Sequence, residues 1–217
     1  MDRRGTAADL PVPEKSLRRL LGGVRNPGLT MEKEKLRKTF QGRGRKIEDR
    51  PDLTPAAVLV PLFQKNRHTH ILLTKRTEKV DQHKGQISFP GGAYHYEDLD
   101  CLTTALRETE EEIGLSMDAV EILGELDHTV TITQFKICPY VGLIPYPYPF
   151  QLSPFEVDRL IELPLEILLD PSKFKEGPFN WGGRTFLNYY VEYQGDFIWG
   201  ATARILKNFV EVLNGET

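Results

Sequence analysis

The sequence predicts a mixed α/β domain of the α+β class with a partly helical N-terminal extension. Three observations carry this. Two short apolar runs, at 56–63 and 70–74, flank a polar turn, as in a hairpin. Amphipathic stretches at 102–115 and 201–213 suit helices packed on a sheet. Strand and helix patterns do not alternate regularly, which argues against a repeating βαβ architecture.

Taken in order, the first 12 residues, with Gly5, Pro11 and Pro13 nearby, read as loosely ordered. Leu17, Leu20, Leu21 and Val24 have helical spacing, and 33–40 predicts a second helix. Gly42-Arg43-Gly44-Arg45-Lys46 reads as a basic linker. It is either a solvated connection or a patch attracted to an anionic substrate or partner. Residues 1–50 therefore form a basic, partly helical extension, and 51–217 form the domain. Within the domain, Ala56-Ala57-Val58-Leu59-Val60-Pro61-Leu62-Phe63 has the signature of a buried strand. Residues 64–68 turn, and His70-Ile71-Leu72-Leu73-Thr74 returns. A polar segment then leads to Gly85-Gln86-Ile87-Ser88-Phe89-Pro90-Gly91-Gly92. The clearest helix spans 102–115, with Gly114 as its stop. Strands follow at 121–126, 129–132 and 135–144, and Pro145, Pro147 and Pro149 enforce a loop. Helices are predicted at 155–161, 163–169 and 201–213. There are no internal repeats.

Composition narrows the class. Of 217 residues, 40% are hydrophobic and 27% charged, which excludes disordered, collagen-like and disulfide-scaffold chains. No apolar run approaches the roughly 18–20 residues a membrane-spanning helix needs, so no membrane role is expected. Cys101 and Cys138 are the two cysteines, which suits a reducing, cytoplasmic setting. Asp2 and Asp9, with no apolar core, argue against a secretory signal; a basic transit peptide is the alternative reading. A net charge of −3 predicts no strong pull toward nucleic acid. The average hides a gradient: residues 1–50 hold 14 basic against 7 acidic side chains, and the remainder 14 against 24.

The acids concentrate on the 102–113 helix. At about 100° per residue, Glu111 and Glu112 fall on either side of Glu108, while Leu102, Leu106, Thr109 and Ile113 face the other way. Arg107 is an i,i+4 partner for Glu111. Like charges so spaced cost about 0.2–0.5 kcal/mol per pair, so the face is either well solvated or built for cations. Hard divalent ions take oxygen ligands, and Mg²⁺ is held by a few carboxylates together with substrate phosphate. Gly91 and Gly92, ahead of the helix, let backbone groups approach the same place. The chemistry this predicts is metal-assisted attack of water on a phosphoryl group.

Gly92 through Leu115, ending in Arg107-Glu108-Thr109-Glu110-Glu111-Glu112-Ile113-Gly114-Leu115, resembles the Nudix box. That box is a glycine, five residues, a glutamate, seven residues, then Arg-Glu-apolar-any-Glu-Glu-any-Gly-apolar. Thr109 stands where an aliphatic residue is usual, Arg107 comes one residue late, and Asp98 replaces the first glutamate. A second set of residues resembles the coenzyme A pyrophosphatase branch of the Nudix hydrolases. It comprises Leu72-Leu73-Thr74-Lys75-Arg76-Thr77, His83-Lys84-Gly85-Gln86-Ile87-Ser88-Phe89-Pro90-Gly91-Gly92 and Ile198-Trp199-Gly200-Ala201-Thr202-Ala203-Arg204-Ile205-Leu206. Asp81 departs from that branch, which often has a basic residue there.

The resemblance implies a Nudix-type α/β/α sandwich with a mixed sheet, and possible assembly as a homodimer. It implies Mg²⁺ or Mn²⁺ bound by Glu108, Glu111 and Glu112, with Gly91 or Gly92 supplying a carbonyl. Arg107 would hold Glu111. The substrate would be a small-molecule diphosphate, coenzyme A or its thioester, cleaved to 3′,5′-ADP and 4′-phosphopantetheine. The general base is a box glutamate (Glu108 or Glu111) or a glutamate beyond the box. Glu156 is the outside candidate, its alternative being an exposed acid at a helix start. Lys75, Arg76 and Lys84 either clamp phosphate or merely solubilise the surface. His83 is a substrate contact or an ordinary exposed histidine. Gln86 and Ser88 either face the site or alternate with core Ile87 and Phe89. Tyr189, Tyr190 and Trp199 read as core and interface aromatics rather than an adenine stack. Two rivals stand beside this reading. One is a Nudix hydrolase of another nucleoside diphosphate derivative such as ADP-ribose. The other is a silent Nudix-fold binding module, which typically lacks box glutamates that this chain keeps.

Overall fold

A computed structural model describes residues 33–79, 83–181 and 183–216. The expected helix at 17–24, the loose first residues and Asp81 lie outside them. The central strand is β1 (Thr54–Lys65), whose residues 59–63 are buried without a break. That pattern belongs to a strand covered on both faces. It pairs antiparallel with β2 (His68–Arg76), in the register Leu62 opposite Ile71, and parallel with β7 (Phe135–Leu143), Ala57 opposite Cys138. The mixed sheet continues with β3 (Ile87–Ser88) beyond β2 and β5 (Glu121–Glu125) beyond β7. Short β4 (Gly91–Ala93) pairs with β1, β6 (Thr129–Val130) with β7, and β8 (Val157–Pro164) with β2.

Side chains alternate along β1 and so build two cores. Val60 and Leu62 join Ile71, Leu73 and Phe209 on one face. Ala57, Leu59 and Phe63 join Leu72, Ala105 and Ile113 on the other. The second face is covered by helix α2 (Cys101–Ile113). The first is covered by α1 (Lys33–Phe40) and α4 (Gly200–Asn214). The result is an α/β/α sandwich. Among the described residues, no helix is long and apolar enough to cross a membrane.

Two expectations change. The helix expected over 155–161 is replaced by strand β8, which pairs with β2 from His70 to Arg76. Val157, Ile161 and Leu163 are its buried positions, and the last two keep a period of two. Seven pairing partners on β2 outweigh a local helical spacing. The helix expected at 163–169 shortens to α3 (Leu165–Leu168). A three-stranded antiparallel sheet, β9 (Lys175–Trp181), β10 (Arg184–Tyr193) and β11 (Asp196–Trp199), fills a region with no strand expectation.

The basic segment after α1 is docked rather than solvated. Arg43 donates to Asp127 at 2.6 Å, the Lys46 N–H to the same carboxylate at 3.1 Å, and Arg45 pairs with Glu125 at 2.7 Å. Burial alone would raise the Asp127 pKa, but these donors hold it below the ordinary carboxylate value. Leu36 and Phe40 anchor α1, with the Phe40 ring stacked 5.8 Å from Phe209. Gly124 is required beneath it, since a Cβ there would lie 2.8 Å from the Phe40 Cβ. Phe40→Ala should therefore cost about 3–5 kcal/mol in urea unfolding. A loss under about 1 kcal/mol would mean that α1 is not part of the cooperative fold.

Candidate active site

Helix α2 is held at both ends. The Asp100 carboxylate accepts from the Thr103 N–H at 2.8 Å as N-cap, and Gly114 closes the helix at φ 69°. Thr109, in place of an aliphatic residue, is fully buried and donates its hydroxyl to the Ala105 carbonyl at 2.6 Å. With its polar atom satisfied, it packs as a small β-branched side chain would.

The opposite face of α2 meets β4. A Cβ on Gly92 would overlap the Glu108 carboxyl group, and one on Gly91 would lie 2.6 Å from the Val58 Cα. Gly91 also takes φ 147°, which side chains rarely adopt. Gly91 is thus demanded by the close pairing of β4 with β1, and Gly92 lets the Glu108 carboxyl group lie against β4. Glu112 is only 3% exposed, and its Oε2 has no hydrogen-bond partner. Burial pushes its pKa up to about 8; Arg76, 3.7 Å away, and the Gly91 N–H oppose the shift, while Glu156 and Glu108 add to it. Glu108 is raised as well, by burial first, with Arg107 opposing. Glu156 stands in the turn just before β8, where its carbonyl accepts from the Thr77 N–H at 2.9 Å. Glu111 is largely exposed.

Arg107 is gripped chiefly by Asp98. Its Nε and Nη2 donate to the two Asp98 oxygens at 2.9 and 3.1 Å, while Nη1 reaches Glu108 at 2.8 Å and Glu111 at 3.3 Å. Asp98 is buried and also accepts from the His95 N–H and the Thr104 hydroxyl. The Arg107 guanidinium and these donors hold it well below the usual carboxylate range. Asp98 stands in place of the box's first glutamate, and here it holds Arg107.

A cleft of about 980 Å³ opens beside the glycine pair. Arg76, His83, Gln86 and Ser88 line it, and the His83 Nδ1 lies 2.9 Å from the Gln86 side-chain oxygen. Lys75 and Lys84 are not among its walls. Lys75 instead pairs with buried Asp196 at 3.4 Å, beside Arg159 at 2.5 Å, tying β11 to β2 and β8. Trp199 and Tyr189 line the cleft, and Trp199 stacks on Phe179 at 5.0 Å. Asn188 and Arg204, absent from the sequence reading of the site, also line it. Among the described residues, no three His, Cys, Asp or Glu side chains are already drawn round one point. The oxygen-only donors, the unmet Oε2 of Glu112 and the glycine cradle over Glu108 nonetheless fit a hard cation.

Comparison with known proteins agrees with this arrangement. The NUDIX domain model matches residues 53–153. The chain is 36% identical over 159 residues to a Yersinia enterocolitica protein described as an uncharacterized Nudix hydrolase, NudL; the match covers 73% of this chain and 81% of that one. A Yersinia pestis protein of the same description is 35% identical over 156 residues, covering 72% and 78%. Among solved structures, a MutT/nudix family protein from Enterococcus faecalis aligns with a TM-score of 0.50 and 14% identity, over 78% of this chain and 66% of that one, a likeness of fold. The chain belongs to the Nudix hydrolase family, and it is a pyrophosphatase whose mixed sheet lies between two helical layers.

Proposed function

We propose that this hydrolase cleaves the diphosphate bond of coenzyme A or its derivatives, releasing 3′,5′-ADP and 4′-phosphopantetheine or its acyl form. One observation carries the substrate assignment. The two stretches that resemble the coenzyme A branch, 83–92 and 198–206, lie far apart in sequence, yet residues of both line the single cleft beside the glycine pair. The two free thiols, Cys101 and Cys138, are what a reducing cytoplasmic setting would maintain.

Glu108, Glu111 and Glu112 are the side chains that would hold Mg²⁺ or Mn²⁺, with the Gly92 carbonyl beside them. When bound, the ion would neutralise phosphate charge and acidify the attacking water. Arg107, itself fixed by Asp98, orients Glu108 and Glu111. Arg76 lines the cleft next to Glu112 and supplies a fixed positive charge to the diphosphate. Glu156, electrostatically coupled to Glu112, takes the proton of the attacking water. His83, Gln86 and Ser88 offer polar contacts along the near wall.

The deciding experiment is product analysis of coenzyme A incubated with the protein and Mg²⁺ or Mn²⁺. The expected product is 3′,5′-ADP, and clearly faster turnover of ADP-ribose would reverse the substrate assignment. Glu156→Gln should lower kcat by about 10²–10⁴ while Mn²⁺ binding persists. Glu112→Gln should abolish both; unchanged Mn²⁺ binding in that variant would remove Glu112 from the ligand set.

Linkage gives an independent readout. Without metal, folded Glu112 carries its proton up to about pH 8, against an ordinary value of 4.5. The folded state thus binds a proton that the unfolded state has released. Glu112's contribution is full below its unfolded pKa and is lost as pH rises through the folded one. A divalent ion competes with that proton. Between roughly pH 5 and pH 8, the Tm of the wild-type protein in EDTA should fall more than that of Glu112→Gln. Mn²⁺ should protect the wild type increasingly as pH rises. An equal Mn²⁺ shift in the variant at pH 8 would count against Glu112 as a ligand.

A further inference from the structure

The cleft contains a second guanidinium that the hydrolytic chemistry leaves unused. Arg204, in α4, lines the same cleft as Arg76 and the glycine pair. Its Nη2 donates to the Val130 carbonyl at 2.8 Å, but its buried Nε–H has no acceptor. Among the described residues no carboxylate forms an ion pair with it. Glu176 shares the cleft but is hydrogen-bonded to the Tyr189 hydroxyl. Burial pushes the Arg204 pKa down with no acid to offset it. The contrast with other cations is direct: Arg107 has Asp98, Arg159 and Lys75 share Asp196, and Arg43 has Asp127.

A desolvated cation without a counter-charge is costly, and a buried donor left unmet adds to that cost. Holding up the Val130 carbonyl uses one of the five N–H groups of a guanidinium and does not require its charge. Arg76 shows the same mark, a buried Nε–H without an acceptor, next to Glu112. One cleft is therefore lined by two separate guanidinium groups, and planar guanidinium groups suit phosphate oxygens. A cleft of about 980 Å³ is at the upper end of the range for small-molecule sites and has room for a long ligand.

We propose that Arg204 is a specificity-determining contact for a phosphate monoester that the substrate carries apart from its scissile diphosphate. On the coenzyme A reading, on which this rests, that group is the 3′-phosphate of the ribose. The Arg76 end takes the diphosphate, and Arg204 takes the second anion. A substrate with a diphosphate alone leaves the Arg204 donors unmet, so the residue selects for substrates that carry both groups.

Two measurements separate this proposal from the hydrolysis it rests on. The first needs no turnover: calorimetric binding of adenosine 3′,5′-bisphosphate and of AMP to the full chain. The bisphosphate should bind at least about tenfold more tightly to the wild type, and Arg204→Gln should erase the difference. Equal binding of the two nucleotides by the wild type would overturn the proposal even if coenzyme A proves to be the substrate. The second compares coenzyme A with 3′-dephospho-coenzyme A in steady state. Arg204→Gln should raise KM for coenzyme A by about tenfold or more with kcat nearly unchanged, and leave the dephospho substrate unaffected. Arg204→Lys should fall between, keeping charge but not the fork. Equal loss on both substrates would mean that Arg204 only supports Val130, and the proposal fails. Should neither substrate be hydrolysed, the coenzyme A reading fails by that result, and nucleotide binding alone decides the role of Arg204.

Discussion

The site depends on how closely β4 lies against the acidic face of α2. A Cβ at Gly92 would push the Glu108 carboxyl group from its place, and Gly91 is pressed against Val58 of β1 with a backbone angle that side chains avoid. That approach removes water from Glu112 and brings the Gly91 N–H to it. A carboxylate so placed strongly favours its neutral form unless a cation arrives. The packing of β4 between β1 and the helix thus turns an acidic surface into a site that a cation would complete. The surrounding strands supply rigidity: β4 is clamped to β1, itself buried between two helical layers.

Asp98 and Arg107 solve the complementary problem of holding the acids in place. Between Glu97 and Glu112 the chain has seven acids and one base. An exposed ion pair would be worth little there. This one is buried, bidentate and supported by the His95 N–H and the Thr104 hydroxyl, which satisfies the oxygens that desolvation would otherwise penalise. The remaining Nη1 donor is left to face Glu108 and Glu111. One carboxylate in the loop therefore orients a guanidinium, which orients two more carboxylates.

What could be read in the sequence follows from which signals are local. The position of Glu108 and Glu112 opposite the core face is a property of the helix itself, and the need for Gly91 and Gly92 follows from their place ahead of it. The hairpin of β1 and β2 is local in the same way. The grip of Asp98 on Arg107 was not legible, because the partner of a loop carboxylate depends on how the loop folds back. Strand β8 was misread as a helix because an irregularity between Lys75 and Arg76 in its pairing leaves Asp158 unmatched and disrupts the period of two. The small sheet β9 to β11 was missed because its outer positions are polar and aromatic rather than alternating aliphatic. The cleft itself, with Arg204 in it, exists only once β6, β10 and α4 are brought together.

The end of β2 links the chemistry to the cleft. In a regular strand, neighbouring side chains point to opposite faces. At the end of β2 this divides two adjacent cations between two tasks. Arg76 lies beside Glu112 and lines the cleft. Lys75 joins Arg159 on buried Asp196, the first residue of β11. Through Asp196, Lys75 ties down the small sheet whose strand β10 forms part of the cleft wall. The sequence offers Lys75 and Arg76 alike as phosphate clamps or surface charges, yet only Arg76 lines the cleft. The other acts at a distance, by fixing the wall against which a substrate would lie. Asp196, with Arg159 and Lys75 both on its carboxylate, leaves neither cation free to compete with Arg76 for an incoming diphosphate.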